Sequence, residues 1–375
     1  MKYSYIIFAY SALFIFGFID NAKGPLYPQL LDYFSLSQVQ GSLIFSLSSG
    51  LSFITSIFAK VWLKRFGAIL STRIALSIQF LSTLIMALCG PDQFYLFLLG
   101  SCLFGISVGV EGITLNLIVA KASSKTKSRQ TLAGLHAMYG VASFLIPYFV
   151  YQLGLIYSSH KEILIALSII PLIAFISTIK LKSLNIKENI HHEVKLVKRN
   201  VLILGFSIGM YVSTEMLLSS RLVLYYREVG GFDKIIAGQL LSLFFGGLLA
   251  GRVLFTIFKI PISSLNLLKI SIGLGLIFSI LGITVYKPIL ALNGLSMSFF
   301  FPCAIDYIGE NFKHSVELLV SKVFIFVGAG LVSMHWVFGL ISQYYGITAA
   351  MCIVPTFQVI ILYLLQFKYK TLIRN

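Results

Sequence analysis

The sequence is poor in charge and in the motifs of enzyme chemistry. Only 11% of its 375 residues are charged, and only 13 are acidic, whereas a soluble domain carries roughly 25% charged residues. The chain contains neither an HExxH motif nor a GxxxxGK[ST] motif, which argues against zinc-protease and P-loop nucleotide chemistry. We therefore expect a protein that is not an enzyme, with no catalytic residues and no cofactor.

Cysteine is also scarce, and its placement does not suggest a metal site. The four cysteines lie in apolar runs without the spacing of metal ligands, at Cys89, Cys102, Cys303 and Cys352. Buried cysteines of this kind behave as small core residues. Residues 191–193 read HHE, and histidine and glutamate side chains can bind a metal ion. The polar residues around them are more typical of a solvated linker. We predict no bound metal.

Long apolar runs are abundant. The chain is 58% hydrophobic, with a mean hydropathy of +0.91. A helix needs about 20 apolar residues to span a bilayer, and runs of that length are too long for barrel strands. The expected fold class is an all-α polytopic membrane protein. The twelve predicted transmembrane segments are residues 5–33, 38–62, 68–89, 94–120, 131–155, 162–180, 201–226, 235–258, 265–286, 288–308, 317–342 and 346–366.

Loop charges predict the topology. The net charge is +16, and Lys and Arg collect in alternate loops such as 60–65, 121–129 and 180–199, whereas 343–345 carries no charge. The positive-inside rule makes the basic loops and both termini cytoplasmic. The lipid bilayer, rather than nucleic acid, therefore explains the basic excess. Because no cleavage site follows the first segment, we expect it to be retained, in a multi-pass monomer of the bacterial cytoplasmic membrane.

Two halves of six segments are predicted. The predicted domains are residues 1–180, a cytoplasmic linker at 181–200, and residues 201–375. The halves share weak similarity in a common register, since Gly50 aligns with Gly247 and Gly105 with Gly294. Two six-helix halves around a central cavity are typical of secondary transporters, whose substrate site lies near the bilayer midplane.

The first segment carries charge inside an apolar run. Residues 17–28 read GFIDNAKGPLYP and contain Asp20 and Asn21. A charged side chain in hydrocarbon costs about 2.5–3.5 kcal/mol on insertion scales, so Asp20 is predicted to face a cavity and to bind a proton. The alternative is a structural ion pair with Lys23. Asn21 and Tyr27 are predicted to contribute to substrate binding.

Segments four and five supply further polar candidates. Glu111 has no basic residue within a helical turn, which suggests a proton site or a ligand to a cation, with a structural hydrogen bond as the alternative. Asn116 follows just over one turn later and is assigned to substrate binding. His136 and Tyr139 open segment five before a glycine. A histidine there can relay protons or simply bond structurally.

Three more candidates come from the second half. Glu215 lies in segment seven at nearly the depth of Asp20 in segment one and is predicted to share the cavity. Arg221 is predicted to bind an acidic substrate, to snorkel, or to pair with Glu215. Trp336 can stack on a sugar ring or belong to the interfacial aromatic belt.

Basic residues at matching helix ends suggest gate contacts. Arg65 and Gly67 follow segment two, and Arg252 follows a glycine at the end of segment eight. A cation beside a close-packing glycine can form a contact that breaks when the halves move. The alternative role for these arginines is membrane anchoring.

The chain resembles the major facilitator superfamily over essentially its whole length. The twelve segments, the central linker and the LKRFG loop at 63–67 carry the resemblance, although Lys64 stands where an aspartate is usual. Within the superfamily it is similar to the fucose-permease-like sugar transporters. The matching stretches are GPLYPQLLDYFSLS in segment one, Glu111 with Asn116, LHAMYG in segment five, TEMLLSSRLVLYY and GGLLAGR in segments seven and eight, and SFFFPCAIDYIG in segment ten.

That resemblance implies a function. It assigns proton coupling and sugar binding to acidic residues in segments one and four, here Asp20 and Glu111. We expect alternating-access, proton-coupled uptake of a sugar or a similar small polar solute, with Na⁺ as the alternative coupling ion. Export of drug-like or lipid-like amphiphiles is a second hypothesis, and a non-transporting membrane sensor or scaffold is a third. A polar cavity would favour uptake of a polar solute, and an apolar cavity would favour export of amphiphiles. Flux of a solute would distinguish either transporter from a sensor or scaffold.

Overall fold

The computed structural model contains helices joined by short loops, and no strands, among the residues that it describes. The described residues are 2–124, 128–156, 159–178, 181, 197–258, 261–312 and 316–372. The helical segments are α1 Tyr3–Tyr33, α2 Gln38–Ile57, α3 Ala59–Leu88, α4 Phe94–Ala122, α5 Ser128–Ile156, α6 His160–Ser177, α7 Lys198–Glu228, α8 Lys234–Ile257, α9 Ser264–Thr284, α10 Lys287–Asn311, α11 Val316–Tyr345 and α12 Ile347–Thr371. Most of the predicted linker, including the trio at 191–193, lies outside the described residues.

Each predicted segment overlaps one of these helices. Ten of the helices in the described part of the chain are long and apolar enough to cross a membrane, and α2 and α6 fall outside that set. Six of the 20 residues of α2 are serine, so its apolar character is weak. The all-helical membrane fold is confirmed, while twelve crossings stay a prediction.

Side-chain caps explain where several helices begin. Ser37 and Gln40 form a reciprocal capping box at the start of α2, and Ser159 and Glu162 form another at the start of α6. Each box satisfies backbone N–H groups that a helix start leaves without intrahelical partners. Asp233 caps α8 by accepting from the N–H of Ile236 at 2.8 Å. Each of these caps defines the first residue of its helix.

The boundary between the second and third segments differs from the prediction. The second segment was expected to extend to residue 62, but α2 ends at Ile57 and α3 already begins at Ala59. The only non-helical residue within α3 is Gly67, with φ 69° and ψ 171°. This region of backbone space is essentially restricted to glycine, so the break falls at the predicted start of segment three.

The chain divides into two compact units with the same helix pairing. The units are Met1–Asn189 and Ile190–Asn375. In unit 1, α1 packs on α5, α2 on α4, and α3 on both α4 and α6. In unit 2, α7 packs on α11, α8 on α10, and α9 on both α10 and α12. Helices in equivalent positions thus pair in the same way, which supports a duplicated six-helix plan.

The aligned glycines make equivalent contacts in the two units. A Cβ atom on Gly105 would meet the backbone carbonyl oxygen of Ser48, which lies on α2. A Cβ atom on Gly294 would likewise meet the carbonyl oxygen of Phe244, which lies on α8. Small residues let membrane helices approach closely. Gly105 and Gly294 were aligned from the sequence alone, and each occupies the crossing of the second and fourth helices of its unit.

This close approach predicts a specific sensitivity to one added methyl group. Gly105→Ala should lower the free energy of unfolding by about 1–3 kcal/mol, because overpacking forces the backbones of α2 and α4 apart. Gly112→Ala is the matched control, since a Cβ there meets nothing within 4 Å, and alanine favours the helix. Denaturation of both variants in detergent micelles, monitored by circular dichroism, measures the difference. Equal stability of the two variants would contradict the packing account.

Residues 105–109 also form the string GISVG, which has the GxSxG pattern of hydrolase nucleophiles. That nucleophile requires a sharp turn from a strand into a helix. Here the string lies inside α4, and the hydroxyl of Ser107 donates to the carbonyl oxygen of Phe104 at 2.7 Å. The serine is a buried helix residue at a packing seam, so the pattern carries no catalytic meaning.

Candidate functional site

Asp20 is engaged in the local ion pair that was the alternative to a proton site. The Nζ atom of Lys23 lies 3.0 Å from Oδ1 of Asp20, and both side chains are largely buried. The same Nζ atom lies 3.9 Å from the ring centroid of Phe104 on α4, a cation–π contact. The lysine therefore has a carboxylate on its own helix and an aromatic face on α4 as partners, and the contact with Phe104 joins α1 to α4.

Asn21 and Tyr27 contact neighbouring helices of unit 1. The amide nitrogen of Asn21 donates to the carbonyl oxygen of Gly17 at 2.8 Å and to Oγ of Ser143 at 3.0 Å. Tyr27 is fully buried and packs edge-on against Phe45 of α2, with ring centroids 5.2 Å apart. Both residues thus make packing contacts of α1, with α5 and α2 respectively.

One face of α5 brings three of the polar groups together. Nε2 of His136 lies 3.2 Å from Oδ1 of Asn116 on α4. One turn on, Tyr139 lies against Gly17 and within 5.6 Å of the Phe16 ring. His136 is exposed within unit 1, and Asn116 and Tyr139 are partly exposed. This face therefore offers an imidazole, a carboxamide and a phenol, which can recognise a polar ligand.

Glu111 is placed differently from the other acidic candidates. Its side chain is fully buried, and neither carboxyl oxygen has a hydrogen-bond partner in the described part of the chain. Glu111 lies seven residues after Phe104 and three before Thr114, so the three share one face of α4. Phe104 contacts Lys23 of α1, and Thr114 contacts α3. The carboxyl group is therefore inside the bundle of unit 1.

In unit 2, Glu215 belongs to a network of three side chains. Its Oε1 lies 3.1 Å from Nη2 of Arg252 on α8, and its Oε2 lies 2.6 Å from the hydroxyl oxygen of Tyr211 on its own helix. That hydroxyl also lies 2.8 Å from the carbonyl oxygen of Met297 in α10. Its single proton can serve only one of these acceptors at a time, so the phenol can shift its bond when the carboxylate changes partner.

The phenol predicts a measurable contribution to stability. Tyr211→Phe should lower the free energy of unfolding by about 1–2 kcal/mol, because a charge-assisted bond to Glu215 is lost and the ring stays in place. The ring stacks on Phe300 with centroids 4.2 Å apart. Tyr95→Phe, at a tyrosine that is 82% exposed, is the matched control and should change nothing. Chemical denaturation that finds both variants alike would refute the network.

The pairing of Arg221 with Glu215, one of its predicted roles, stays a prediction. The Glu215 carboxylate has Arg252 as its ion-pair partner. The side chain of Arg221 is fully buried, with its guanidinium carbon 5.0 Å from the ring centroid of Phe338 on α11. A fully buried guanidinium does not reach the membrane surface, so the snorkelling alternative is wrong. Its predicted role toward an acidic substrate stays a prediction.

The remaining candidates are more exposed. Trp336 on α11 has half of its surface exposed, which fits either the aromatic belt or a ligand-facing ring. Arg65 is exposed, and its guanidinium carbon lies 5.4 Å from the ring of Phe66. Gly67 is the break within α3, and Arg252 is engaged by Glu215. Of the three predicted gate residues, Arg252 therefore makes a contact with another candidate site residue.

Two polar residues of these clusters were absent from the sequence-based prediction. Ser143 follows Tyr139 by four residues, and Tyr211 precedes Glu215 by four. Residues four apart lie on the same helical face, so a search for polar residues at that spacing from each candidate would have found both.

The geometry defines a helical membrane protein with polar groups buried inside each unit, and comparison identifies its family. Residues 9–317 match the profile of the Major Facilitator Superfamily. Because the match covers well over half of the chain, the protein belongs to that superfamily and is a transporter of the superfamily, whose members are generally not enzymes. A sequence comparison with curated proteins gives no match to this chain.

Solved structures share the fold across nearly the whole chain. A D-xylose-proton symporter superposes with a TM-score of 0.75 at 14% identity, covering 97% of each chain. The E. coli fucose:proton symporter superposes with a TM-score of 0.64 at 16% identity, covering 97% of this chain and 98% of that one. A bacterial homologue of the human lysosomal transporter Spinster has a TM-score of 0.77 at 14% identity, covering 99% and 97%. At such identities the likeness concerns the fold alone.

Proposed function

We propose that this transporter is a secondary active symporter that takes up a small polar solute of the sugar class together with protons, by alternating access. The observation that carries the proposal is Glu111, a fully buried carboxyl without a hydrogen-bond partner in the described part of the chain. An ionised carboxylate is costly in such surroundings. The group is therefore suited to bind a proton and to release it when its surroundings change.

The proposal of a sugar-like solute is based on three exposed or partly exposed polar side chains of α4 and α5 in unit 1. His136, Asn116 and Tyr139 are uncharged or weakly basic groups that both donate and accept hydrogen bonds, as the hydroxyl groups of a sugar do. Two of the similar folds belong to proteins described as proton symporters of fucose and of D-xylose. We extend that description to this chain as part of the proposal.

We propose that Asp20 has only a secondary role in proton coupling. Its ion pair with Lys23 at 3.0 Å already neutralises the carboxylate, so Glu111 is the primary proton carrier and Asp20 is secondary. Glu215, with Arg252 and Tyr211, is proposed to rearrange in unit 2 during transport. We further propose that the protein works as a monomer in the bacterial cytoplasmic membrane, with both termini cytoplasmic.

A ligand screen followed by an uptake assay tests this function. Purified protein is heated with sugars, organic acids and amphiphiles, since a ligand at 100 times its dissociation constant stabilises a protein by about 2.7 kcal/mol. Any hit is then offered to proteoliposomes with an inside-alkaline pH gradient. We expect a sugar to stabilise the protein and to accumulate.

Other outcomes would point elsewhere. Stabilisation by amphiphiles alone would favour the exporter, and binding without flux would favour the sensor. Accumulation driven by a Na⁺ gradient at equal pH would show that Na⁺, and not the proton, is the coupling ion.

A further inference from the structure

Two helices of unit 1 that pack against each other both carry a buried polar side chain for which the described residues supply no hydrogen-bond partner. Gln79 on α3 and Glu111 on α4 are fully buried. Neither the carboxamide atoms of Gln79 nor the carboxyl oxygens of Glu111 have a hydrogen-bond partner among the described residues. Buried polar groups are nearly always hydrogen-bonded, so these two are an exception that their relative placement helps to explain.

Two contacts fix the register of α3 against α4. The hydroxyl of Thr72 donates to the hydroxyl of Thr114 at 2.7 Å, and the side chain of Met86 lies against Gly100. The helices are therefore antiparallel. Gln79 is seven residues from both Thr72 and Met86, so it lies on the same face of α3, midway between the two contacts.

Glu111 lies on the opposing face of α4, one turn from the level of Gln79. It precedes Thr114 by three residues, which places it opposite Ala75, a small residue that leaves room for a carboxyl. Side chains on a helix lean toward its N-terminus. Because α3 and α4 are antiparallel, Gln79 leans toward the level of Glu111, and Glu111 leans toward the level of Gln79.

The equivalent helices of unit 2 are joined by hydrogen bonds of buried polar side chains. The hydroxyl of Ser271 on α9 donates to the carbonyl oxygen of Ser296 on α10 at 2.6 Å. Ser279 on α9 and Gln358 on α12 both donate to Oδ1 of Asn293 at 3.1 Å. Unit 2 thus joins these helices through buried polar side chains, whereas the side chains of Gln79 and Glu111 have no hydrogen bond within the described part of unit 1.

We propose that Gln79 and the protonated form of Glu111 form a reciprocal acid–amide pair, in which Gln79 is a positioning residue for the coupling carboxyl. A protonated carboxyl has one O–H donor and one carbonyl acceptor, and a carboxamide has an N–H donor and a carbonyl acceptor. The O–H of Glu111 donates to Oε1 of Gln79, and Nε2 of Gln79 donates to the other oxygen of Glu111. Loss of the proton removes the first bond and leaves the second, so the two-bonded pair exists only while Glu111 carries the proton.

This inference rests on the proposed proton-binding role of Glu111, but its test needs no substrate. Infrared difference spectra of the purified protein in liposomes, recorded during a pH titration, report the carbonyl stretch of protonated carboxyl groups. The Glu111 band is the one that disappears in Glu111→Gln. In the wild type we expect it at the low frequency of a hydrogen-bonded acid. Gln79→Met, which keeps the length of the side chain, should raise its frequency, because the carbonyl group of the acid loses its N–H donor.

Gln358→Met is the matched control, because that glutamine is also fully buried but belongs to unit 2. It should leave the Glu111 band unchanged. A wild-type band at the frequency of a free acid overturns the pair, as does a band that Gln79→Met does not move, or the absence of any Glu111 band. The wild-type frequency decides the matter even if Gln79→Met fails to fold. A shifted band in a protein whose uptake ignores pH would support the pair and refute the proposed function.

Discussion

Glu111→Gln should abolish the accumulation of solute that a pH gradient drives. With a gradient of about two pH units, one proton per cycle supports roughly 100-fold accumulation, because each unit corresponds to about 1.36 kcal/mol. Glutamine has nearly the volume of the protonated acid and cannot release a proton. The variant should therefore equilibrate the solute without concentrating it. Proteoliposome uptake of the solute found in the ligand screen, with and without the gradient, measures the effect.

The control for this variant is a carboxylate outside the helices. Asp92 is exposed in the loop between α3 and α4, and Asp92→Asn makes the same chemical change without touching the buried site. It should accumulate solute as the wild type does. Full accumulation by Glu111→Gln would refute the coupling role of Glu111, whereas loss of all exchange would show that the residue is needed for binding as well.

Asp20→Asn should destabilise the protein more than most single substitutions. The ammonium group of Lys23 is largely buried, and removing its carboxylate leaves a charge whose remaining partner among the described residues is the Phe104 ring. Breaking a buried ion pair in this way costs about 3–5 kcal/mol, and we expect about 2–4 kcal/mol because some solvent reaches Asp20. Unfolding in mixed micelles of mild detergent and dodecyl sulfate measures the loss.

A second substitution separates the structural role of Asp20 from a coupling role. Asp20→Asn combined with Lys23→Met removes both charges and should recover most of the stability, since replacing a buried pair by apolar groups is often neutral. If the pair is purely structural, this double variant also keeps proton-driven accumulation. Restored stability without proton drive would instead make Asp20 a coupling residue alongside Glu111.

Local signals in the sequence anticipated much of the architecture. Apolar runs located the helices, because a bilayer demands about 20 such residues in succession. The alignment of Gly105 with Gly294 anticipated two equivalent helix crossings, because only glycine permits so close an approach. The ion pair of Asp20 with Lys23 was foreseen as an alternative, since three residues bring side chains to one face of a helix.

Contacts between helices were harder to predict from the sequence. Arg221 was considered as a partner of Glu215, although six residues rotate a side chain by about 240° around the helix. The ion-pair partner in the structure, Arg252, lies on α8 and meets Glu215 only through the packing of α7 on α8. The sequence did not identify Gln79 as a candidate, because a single glutamine in an apolar segment belongs to no recognisable pattern. Its importance arises from the register of α3 against α4.

The most direct test of proton coupling is to follow protons during uptake by the wild type. Adding the transported solute to lightly buffered proteoliposomes, with no gradient imposed, should raise the external pH, because each solute molecule enters with a proton. A protonophore should abolish this change, and Glu111→Gln should fail to produce it while still exchanging solute. Solute entry without any change of external pH in the wild type would contradict proton symport.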